Sequence, residues 1–347
     1  MKICYLADAR SIHTKRWVSY FAERGHEVHL ISKTIDYCLP NNVKLHLLKR
    51  LPESALTLPV NTFFTILQIK NIIRKIKPDI IHAFYILDYG FYGSLMGFHP
   101  LVETVLGSDV LLSKSKLVKY ALEKADVITY NGENARQAII SMGIDRKKIK
   151  LISHGVDTNK FNPNKRIAGL IPTVISARSL TPIYDVSTFI RAIPMVLEKV
   201  PNVKFIVMGD GPEKDILIKM AERSGILENV DFVGAMPHNH MPERLASSDV
   251  YVSTSLSDSG IAISTLEAMA SGVAIISTDV GDIRSWIEDG VNGFIIPTKD
   301  HVALAQKIIY LLQNKKEFGI MNRCAVQENA DYYKEMEKVE KIYEALK

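Results

Sequence analysis

The sequence predicts an α/β protein built from two doubly wound parallel-sheet domains, and three observations carry that expectation. Short β-branched runs alternate with amphipathic stretches, the βαβ signature of parallel sheets covered by helices on both faces. The alternation breaks at a Pro/Asn-rich stretch from Phe161 to Pro172, FNPNKRIAGLIP, and then restarts. With 347 residues, 47% of them hydrophobic, the chain can bury two substantial cores.

In chain order, ICYLAD reads as a strand, SIHTKRWVSYFAERG as a helix and EVHLIS as the next strand. PDIIHAF, PLVETVLG, ADVITY and KIKLIS continue the first unit; TVISAR, VKFIVMGDG, VDFVG, DVYVSTS and VAIIST make the second. The tail from Asp331 to Leu346 sets Met336, Val339, Ile342 or Tyr343, and Leu346 at helical spacing, so it must pack on something.

Composition narrows the function. Cys4, Cys38 and Cys324 are odd in number and widely spaced, which argues against a disulfide framework or a zinc site and fits a reducing compartment. The opening MKICYLAD reads as a strand, so no export signal is expected. The most apolar long segment, Ala55 to Ile69, is interrupted by Pro59 and Asn61 and falls short of the roughly 20 residues that span a bilayer. The net charge of +5 is uneven: residues 1–165 carry 24 Lys/Arg against 14 Asp/Glu, and residues 166–347 carry 19 against 24. No aromatic and basic motif of a nucleic-acid module is present, and no nucleic-acid partner is expected.

The stretch LSDSGIAISTLEAMASGVAII, Leu256 to Ile276, reads as loop, helix, turn and strand. A helix opening beside Gly260 presents unpaired backbone N–H groups and a positive dipole end, a site for an anion such as a diphosphate. Glu267 lies two turns on, among Ala, Met and Leu; it is either a carboxylate satisfied by a structural partner or an acceptor for ribose hydroxyls. Ligands of open α/β sheets sit beyond the carboxyl ends of the strands, so polar residues following strands matter most. These are Arg178, Gly209-Asp210-Gly211 and Ser257 to Gly260 in the second half. In the first half they are Asp8 to His13 (with Ser11), His82, and Gly107-Ser108-Asp109. Arg178 suits phosphate because a guanidinium forks onto its oxygens, or it forms an ion pair; His82 is either a core histidine or a cleft group.

Arg178, VKFIVMGDGPE, VDFVG, the Ser259 to Glu267 segment with LEAMASG, and IEDGVNGFIIP together resemble glycosyltransferase family 4. IHTKRWVSYFAERGHEVHLIS, KPDIIHAFY, GSDV and HGVDTNKF extend the resemblance over almost the whole chain. It implies a GT-B fold of two Rossmann-like domains with a cleft between them and a last helix crossing back to the first. The expected boundaries are 1–165 with 328–347 for an acceptor-binding domain and 166–327 for a donor-binding one. The implied activity is retaining, metal-independent transfer of a hexose-type sugar from a nucleotide-diphosphate sugar to a glycan, lipid-linked or small-molecule acceptor. No cofactor is expected, and the chain has no D-x-D triplet.

By the same resemblance Glu267 matches the second Glu of E-x7-E, which holds ribose hydroxyls, and the Ile263 amide meets the diphosphate. Gly260, Ile261 and Ala262 meet the donor sugar, Gly209 lines the donor site, and Arg178 is the phosphate-binding arginine. The chain departs from the pattern at three places. The first Glu is Ser259 with Asp258 beside it, the usual Lys is missing around Ile183 and Tyr184, and the first-domain histidine is Leu106. Asp109, Ser108 or His13 would take over the histidine's role, with Ser11, His82 and Ser108 toward the acceptor. A GT-B epimerase and a non-catalytic nucleotide-sugar-binding scaffold are the other readings these departures leave.

Thr57 to Lys77 joins Phe63, Phe64, Ile66, Leu67, Ile69, Ile72 and Ile73 to Lys70, Arg74, Lys75 and Lys77, with Lys114, Lys116 and Lys119 adding charge nearby. It reads either as a sheet-covering helix with a solvated basic end or as a helix lying in a membrane interface. The basic first half favours peripheral contact with an anionic bilayer, hence a cytoplasmic enzyme at the inner membrane face.

Overall fold

Parallel pairing accounts for every strand of the protein in the computed structural model, which describes residues 1–49, 58–113, 115–167, 169, 171–314 and 318–347. The first unit, Met1–Ser153 with Glu335–Lys347, holds β1 (Lys2–Leu6), β2 (Glu27–Ser32), β3 (Val43–Leu47), β4 (Ile80–Phe84), β5 (Leu101–Thr104), β6 (Val127–Tyr130) and β7 (Ile149–Leu151). Their order is β3-β2-β1-β4-β5-β6-β7. The second unit, His154–Lys334, holds β8 (Thr173–Ala177), β9 (Lys204–Met208), β10 (Val230–Gly234), β11 (Val250–Ser253), β12 (Ala274–Thr278) and β13 (Gly293–Ile296), in the order β10-β9-β8-β11-β12-β13.

Strands buried on both faces read as mostly apolar runs, and β4, β5, β6 and β11 are buried at every position, with His82 on β4 and Glu103 on β5 among the ionisable exceptions. Helices follow the other period: Ile12–Glu23 buries Thr14, Trp17, Val18 and Phe21, spaced i, i+3, i+4, i+7. The strands not anticipated from the sequence, β3 and β13, are both at sheet edges. The helix expected at Thr57–Lys77 spans Leu58–Ile76; Ala55, Thr57 and Lys114 lie outside the described residues.

The expected linker needs correction. Phe161 is buried in the second unit's core with Val156, and Pro163–Lys165 is a 3-10 turn. Arg323 donates to the carbonyls of Thr158 (2.9 Å), Phe161 (2.9 Å) and Ala270 (2.6 Å), stapling this stretch to the second unit. The division therefore falls at Ser153/His154 rather than at 165/166, and at Lys334/Glu335 rather than at 327/328.

The tail packs as its spacing requires. On the helix Tyr332–Leu346, Met336, Val339 and Tyr343 are fully buried, so Tyr343 and not Ile342 takes the inward position. The Tyr343 hydroxyl meets Tyr5 at 3.1 Å and His82 Nδ1, while Glu340 accepts from Arg24 (3.2 Å) and His26 (3.1 Å).

Glu103 on β5 is fully buried, and neither carboxylate oxygen has a hydrogen-bond partner. Desolvation, with Asp109 adding to it, pushes its carboxyl well above the usual range, so the folded chain keeps the neutral acid. Above the ordinary carboxylate value of about 4 the unfolded chain releases a proton that the folded chain retains. Glu103 therefore subtracts stability as pH rises from there toward its raised folded value. Glu103→Gln should melt higher than wild type at neutral pH, with the gap closing toward acid. Melting curves across that range check this, and a gap independent of pH would refute the neutral-acid assignment.

Candidate functional site

In the second sheet the strand order reverses between β8 and β11, so the turns leaving those strands diverge and open a crevice at their carboxyl ends. Arg178 directly follows β8, and the loop from Thr254 to Ala262 follows β11. The loop is tied down: Leu256 N–H donates to Ile183 O (2.8 Å), Thr254 Oγ1 to Tyr184 O (3.0 Å) and Thr278 Oγ1 to Ser255 O (2.6 Å). Gly281, at φ +58, lets its backbone pass beneath; a Cβ there would stand 2.1 Å from the Gly260 carbonyl oxygen.

The Arg178 side chain is only 9% exposed. Its Nη2 donates to Asp258 Oδ1 at 2.8 Å, and its guanidinium carbon lies 4.1 Å from the centroid of the Tyr184 ring. Burial is the largest influence and opposes the charge, but Asp258, Tyr251 and Tyr184 together outweigh it and raise the guanidinium above its ordinary value. Gly209 packs behind: at φ +150, a Cβ would come within 2.0 Å of the Arg178 carbonyl oxygen. Gly209 thus shapes the backbone that carries Arg178.

The helix Ile263–Ala270 begins three residues beyond Gly260, with Ala262 as its N-cap and no side-chain cap hydrogen bond. The Ile263 and Ser264 N–H groups precede its first backbone bonds, which Thr265 and Leu266 donate to the Ala262 carbonyl at 3.0 and 3.2 Å. Gly260 and Ile261 are buried; Ser259, Ala262 and Ile263 are partly exposed. The Glu267 side chain is 3% exposed, and its Oε1 accepts from His238 Nε2 at 2.7 Å. Arg178, Asp258, the loop and helix start, Gly209 and Glu267 all lie on the second unit's carboxyl edge or directly behind it.

Sequence reasoning missed His238, although it sits in the loop after β10, where the rule about polar residues following strands applies. The sequence marks Tyr184 only as part of the stretch lacking a Lys; its stacking under Arg178 is visible only in three dimensions. A cavity of about 460 Å³, lined by Arg166, Thr173, Arg244 and Asp249 among others, lies toward the start of β8 and β11 instead.

In the first unit several expected roles are corrected. His82 is fully buried within β4, with Nδ1 at the Tyr343 hydroxyl and Nε2 at Thr104 Oγ1 (2.6 Å); burial holds it well below the usual value and neutral. It is a core residue and not a cleft group. Asp109 is equally buried, accepting backbone N–H from Gly107 (2.8 Å), Ile86 (3.0 Å) and Leu106 (3.3 Å). Desolvation raises its carboxyl against these bonds. It fastens the turn rather than meeting a substrate. Ser108 is exposed, and Ser11 is the N-cap of the helix Ile12–Glu23. His13 stands at that helix start, held at about 4 by desolvation and Arg16, hence neutral near pH 7.

Two Rossmann-like units with parallel sheets of these orders define the GT-B class of fold. The chain belongs to the glycosyl transferases group 1 family, whose model matches residues 157–330, while a glycosyl transferase 4-like model matches residues 2–132. It is 24% identical over 349 residues to N-acetyl-alpha-D-glucosaminyl L-malate synthase of Bacillus anthracis, covering 94% of this chain and 90% of that one. It is 25% identical to a phosphatidylinositol N-acetylglucosaminyltransferase of Arabidopsis thaliana, covering 74% of this chain but spanning only 60% of that protein. The crystal structure of Anabaena HepE in complex with UDP and glucose covers both chains completely at a TM-score of 0.82 and 17% identity. Among the described residues no group of three or more His, Cys, Asp or Glu could hold a metal ion.

The Arg178–Asp258 pair generates a stability prediction. Asp258→Asn leaves a mostly buried guanidinium without its counter-charge and should cost about 1–3 kcal/mol. Inorganic pyrophosphate, an anion able to replace the carboxylate, should raise the melting temperature of the variant more than that of wild type. Equal shifts in the two proteins would place the anion away from Arg178.

Proposed function

We propose that the protein is a retaining, metal-independent glycosyltransferase that moves a hexose-type sugar from a nucleoside diphosphate sugar to an acceptor hydroxyl. The observation that carries this reading is the convergence of Arg178, the uncapped start of the helix Ile263–Ala270, and Glu267 on one unit. Anion-binding amides and a guanidinium suit a diphosphate, and a buried carboxylate at a crevice suits the ribose hydroxyls. HepE, a structure of the same fold, is described with UDP and glucose, which supports a donor of this chemistry.

When the anomeric bond breaks, negative charge grows on the departing diphosphate. Arg178 and the helix amides stabilise that charge where it develops, without a metal. The acceptor hydroxyl attacks from the face the diphosphate leaves, with the departing phosphate oxygen taking its proton. Donor binding falls to the second unit and acceptor binding to the first; His13, half-buried and neutral, stands near Ser11 and the exposed Ser108 is a candidate acceptor contact. Ser259 and Asp258 stand where the resemblance puts a sugar-facing carboxylate, and Asp258, paired with Arg178 at 2.8 Å, is the carboxylate at that place in the sequence.

Melting the protein with UDP, GDP and ADP identifies the base, since a ligand at a hundredfold its dissociation constant adds about 2.7 kcal/mol. Labelled nucleotide sugar then reports transfer or slow donor hydrolysis. An epimeric product, or binding without turnover, would replace this reading. Glu267→Ala should weaken nucleoside diphosphate binding by roughly 1.5–3 kcal/mol through loss of a charged acceptor. Unchanged calorimetric affinity in the folded variant would refute the ribose role.

The acceptor reading is lipid-linked, with the enzyme on the cytoplasmic face of an anionic membrane. No helix among the described residues is long and apolar enough to cross a membrane. On the helix Leu58–Ile76, Val60, Phe63, Phe64 and Leu67 are exposed in its first half, Phe63 by 61%. Arg74 and Lys75 lie in its last turn, about 15 Å away along the axis. Exposed Leu112 and Leu117 stand beside Lys116 and Lys119. An interfacial contact buries such apolar groups while lysines meet lipid phosphates. The relative named for a phosphatidylinositol substrate supports this reading. The protein should sediment with anionic vesicles at low salt, release as salt rises, and ignore neutral vesicles. Failure to sediment with either kind at low salt would leave a soluble acceptor.

A further inference from the structure

We infer that His238 is a positioning residue for Glu267, holding one carboxylate oxygen so that the other is presented to the ribose of the donor; this rests on the donor-site reading above. The polar side chains on Glu267's own helix face do not hold its carboxylate: Ser264 bonds Tyr251 at 2.8 Å and the buried Ser271 hydroxyl has no hydrogen-bond partner. The hydrogen bond to Oε1 comes from His238 Nε2 at 2.7 Å. On the far side of the ring, Lys160 Nζ lies 3.4 Å from Nδ1. An ammonium only donates, so Nδ1 carries the lone pair and the proton rests on Nε2, facing Glu267.

The ring is aimed from outside the donor site. It packs on Phe161 with centroids 5.3 Å apart, and Phe161 is itself buried and stapled through its carbonyl by Arg323. A neutral imidazole has one property that a lysine or arginine in its place would lack. It orients the carboxylate without cancelling its charge, so Oε2 remains a full anionic acceptor, and bonds from hydroxyls to a charged acceptor are the stronger kind. His238 is partly exposed at the mouth of the loop after β10, as a residue bordering a ligand is.

A role of this kind acts on ribose recognition and not on nucleotide binding in general. The test titrates a nucleoside diphosphate and its 2′-deoxy counterpart, with the base selected by melting, against wild type, His238→Ala and His238→Gln. Wild type should prefer the ribonucleotide by about tenfold. His238→Ala should lose most of that preference by weakening the ribonucleotide while the deoxynucleotide is held as before. His238→Gln, whose amide can donate from a similar reach, should recover much of it. A histidine that only supports the fold would weaken both ligands together, and an unchanged preference in His238→Ala overturns the inference. If wild type itself binds the two equally, the ribose role of Glu267 fails; if it binds neither, the donor site fails, and the inference falls with either.

Discussion

A parallel sheet cannot be closed by hairpins, and the rest of this molecule follows from that constraint. Each strand must be followed by a crossover that returns the chain to the same edge, so every strand-to-helix turn of a unit gathers at the carboxyl edge. Where the winding reverses, between β8 and β11, two neighbouring turns separate. What stands at that gap is decided by which residues end those strands. Here they are Arg178 and the loop leading to Ile263. The glycines at 209 and 281 are the steric consequence, because turns crowded on one edge press backbone against backbone.

Two of the three departures from the family pattern, those in the second unit, meet at Arg178. Tyr184, in the stretch where a lysine is usual, lies flat beneath the Arg178 guanidinium, and Asp258, beside the position of the usual glutamate, pairs with it. Losing a cation while keeping a shifted anion lowers the local charge by one and leaves Arg178 paired one-to-one with Asp258. In the donor site proposed above, a diphosphate brings more negative charge than one carboxylate and so competes with Asp258 for Arg178. Ile183 and Tyr184 also hold the β11 loop through their carbonyls, which gives this stretch a structural reason to differ.

How much was legible in the sequence depends on the range of the interaction concerned. The central strands, the amphipathic helices and the loop, helix and strand around Gly260 are governed by local composition, and all appear where the pattern puts them. The edge strand β3 was missed because one flank has no partner to demand an apolar run; it reads VKLHL, with polar residues between apolar ones, whereas β13, GFII, is apolar but only four residues long and set between turns. The Phe161 stretch looks like a linker because Pro and Asn dominate it, whereas Arg323, 162 residues away, stitches it into the second unit. His82 lies in the middle of β4, which runs on to Phe84, and Asp109 follows β5, but position along a strand does not say which way a side chain faces. One points into an aromatic core and the other back onto its own turn.

His82 shows what such a buried polar group is for. Burial lowers the histidine and raises Tyr343, so both are neutral; Tyr343 bonds Tyr5 and His82, His82 bonds Thr104, and Thr104 in turn bonds Thr129, without any net charge. A buried ion pair at the same place would carry a large desolvation cost, and an apolar contact would leave the angle of the returning helix free. A chain of neutral donors and acceptors costs less to bury and still accepts only one arrangement, because each hydroxyl or ring nitrogen left unmatched would be penalised. Phe21 and Trp17 seal it from water on the side of the helix Ile12–Glu23. The last thirteen residues are thus located in the first unit by directional bonds as well as by the burial of Met336 and Val339. The Glu340 contact with Arg24, a half-exposed side chain, is weakened by solvent and contributes less to that placement.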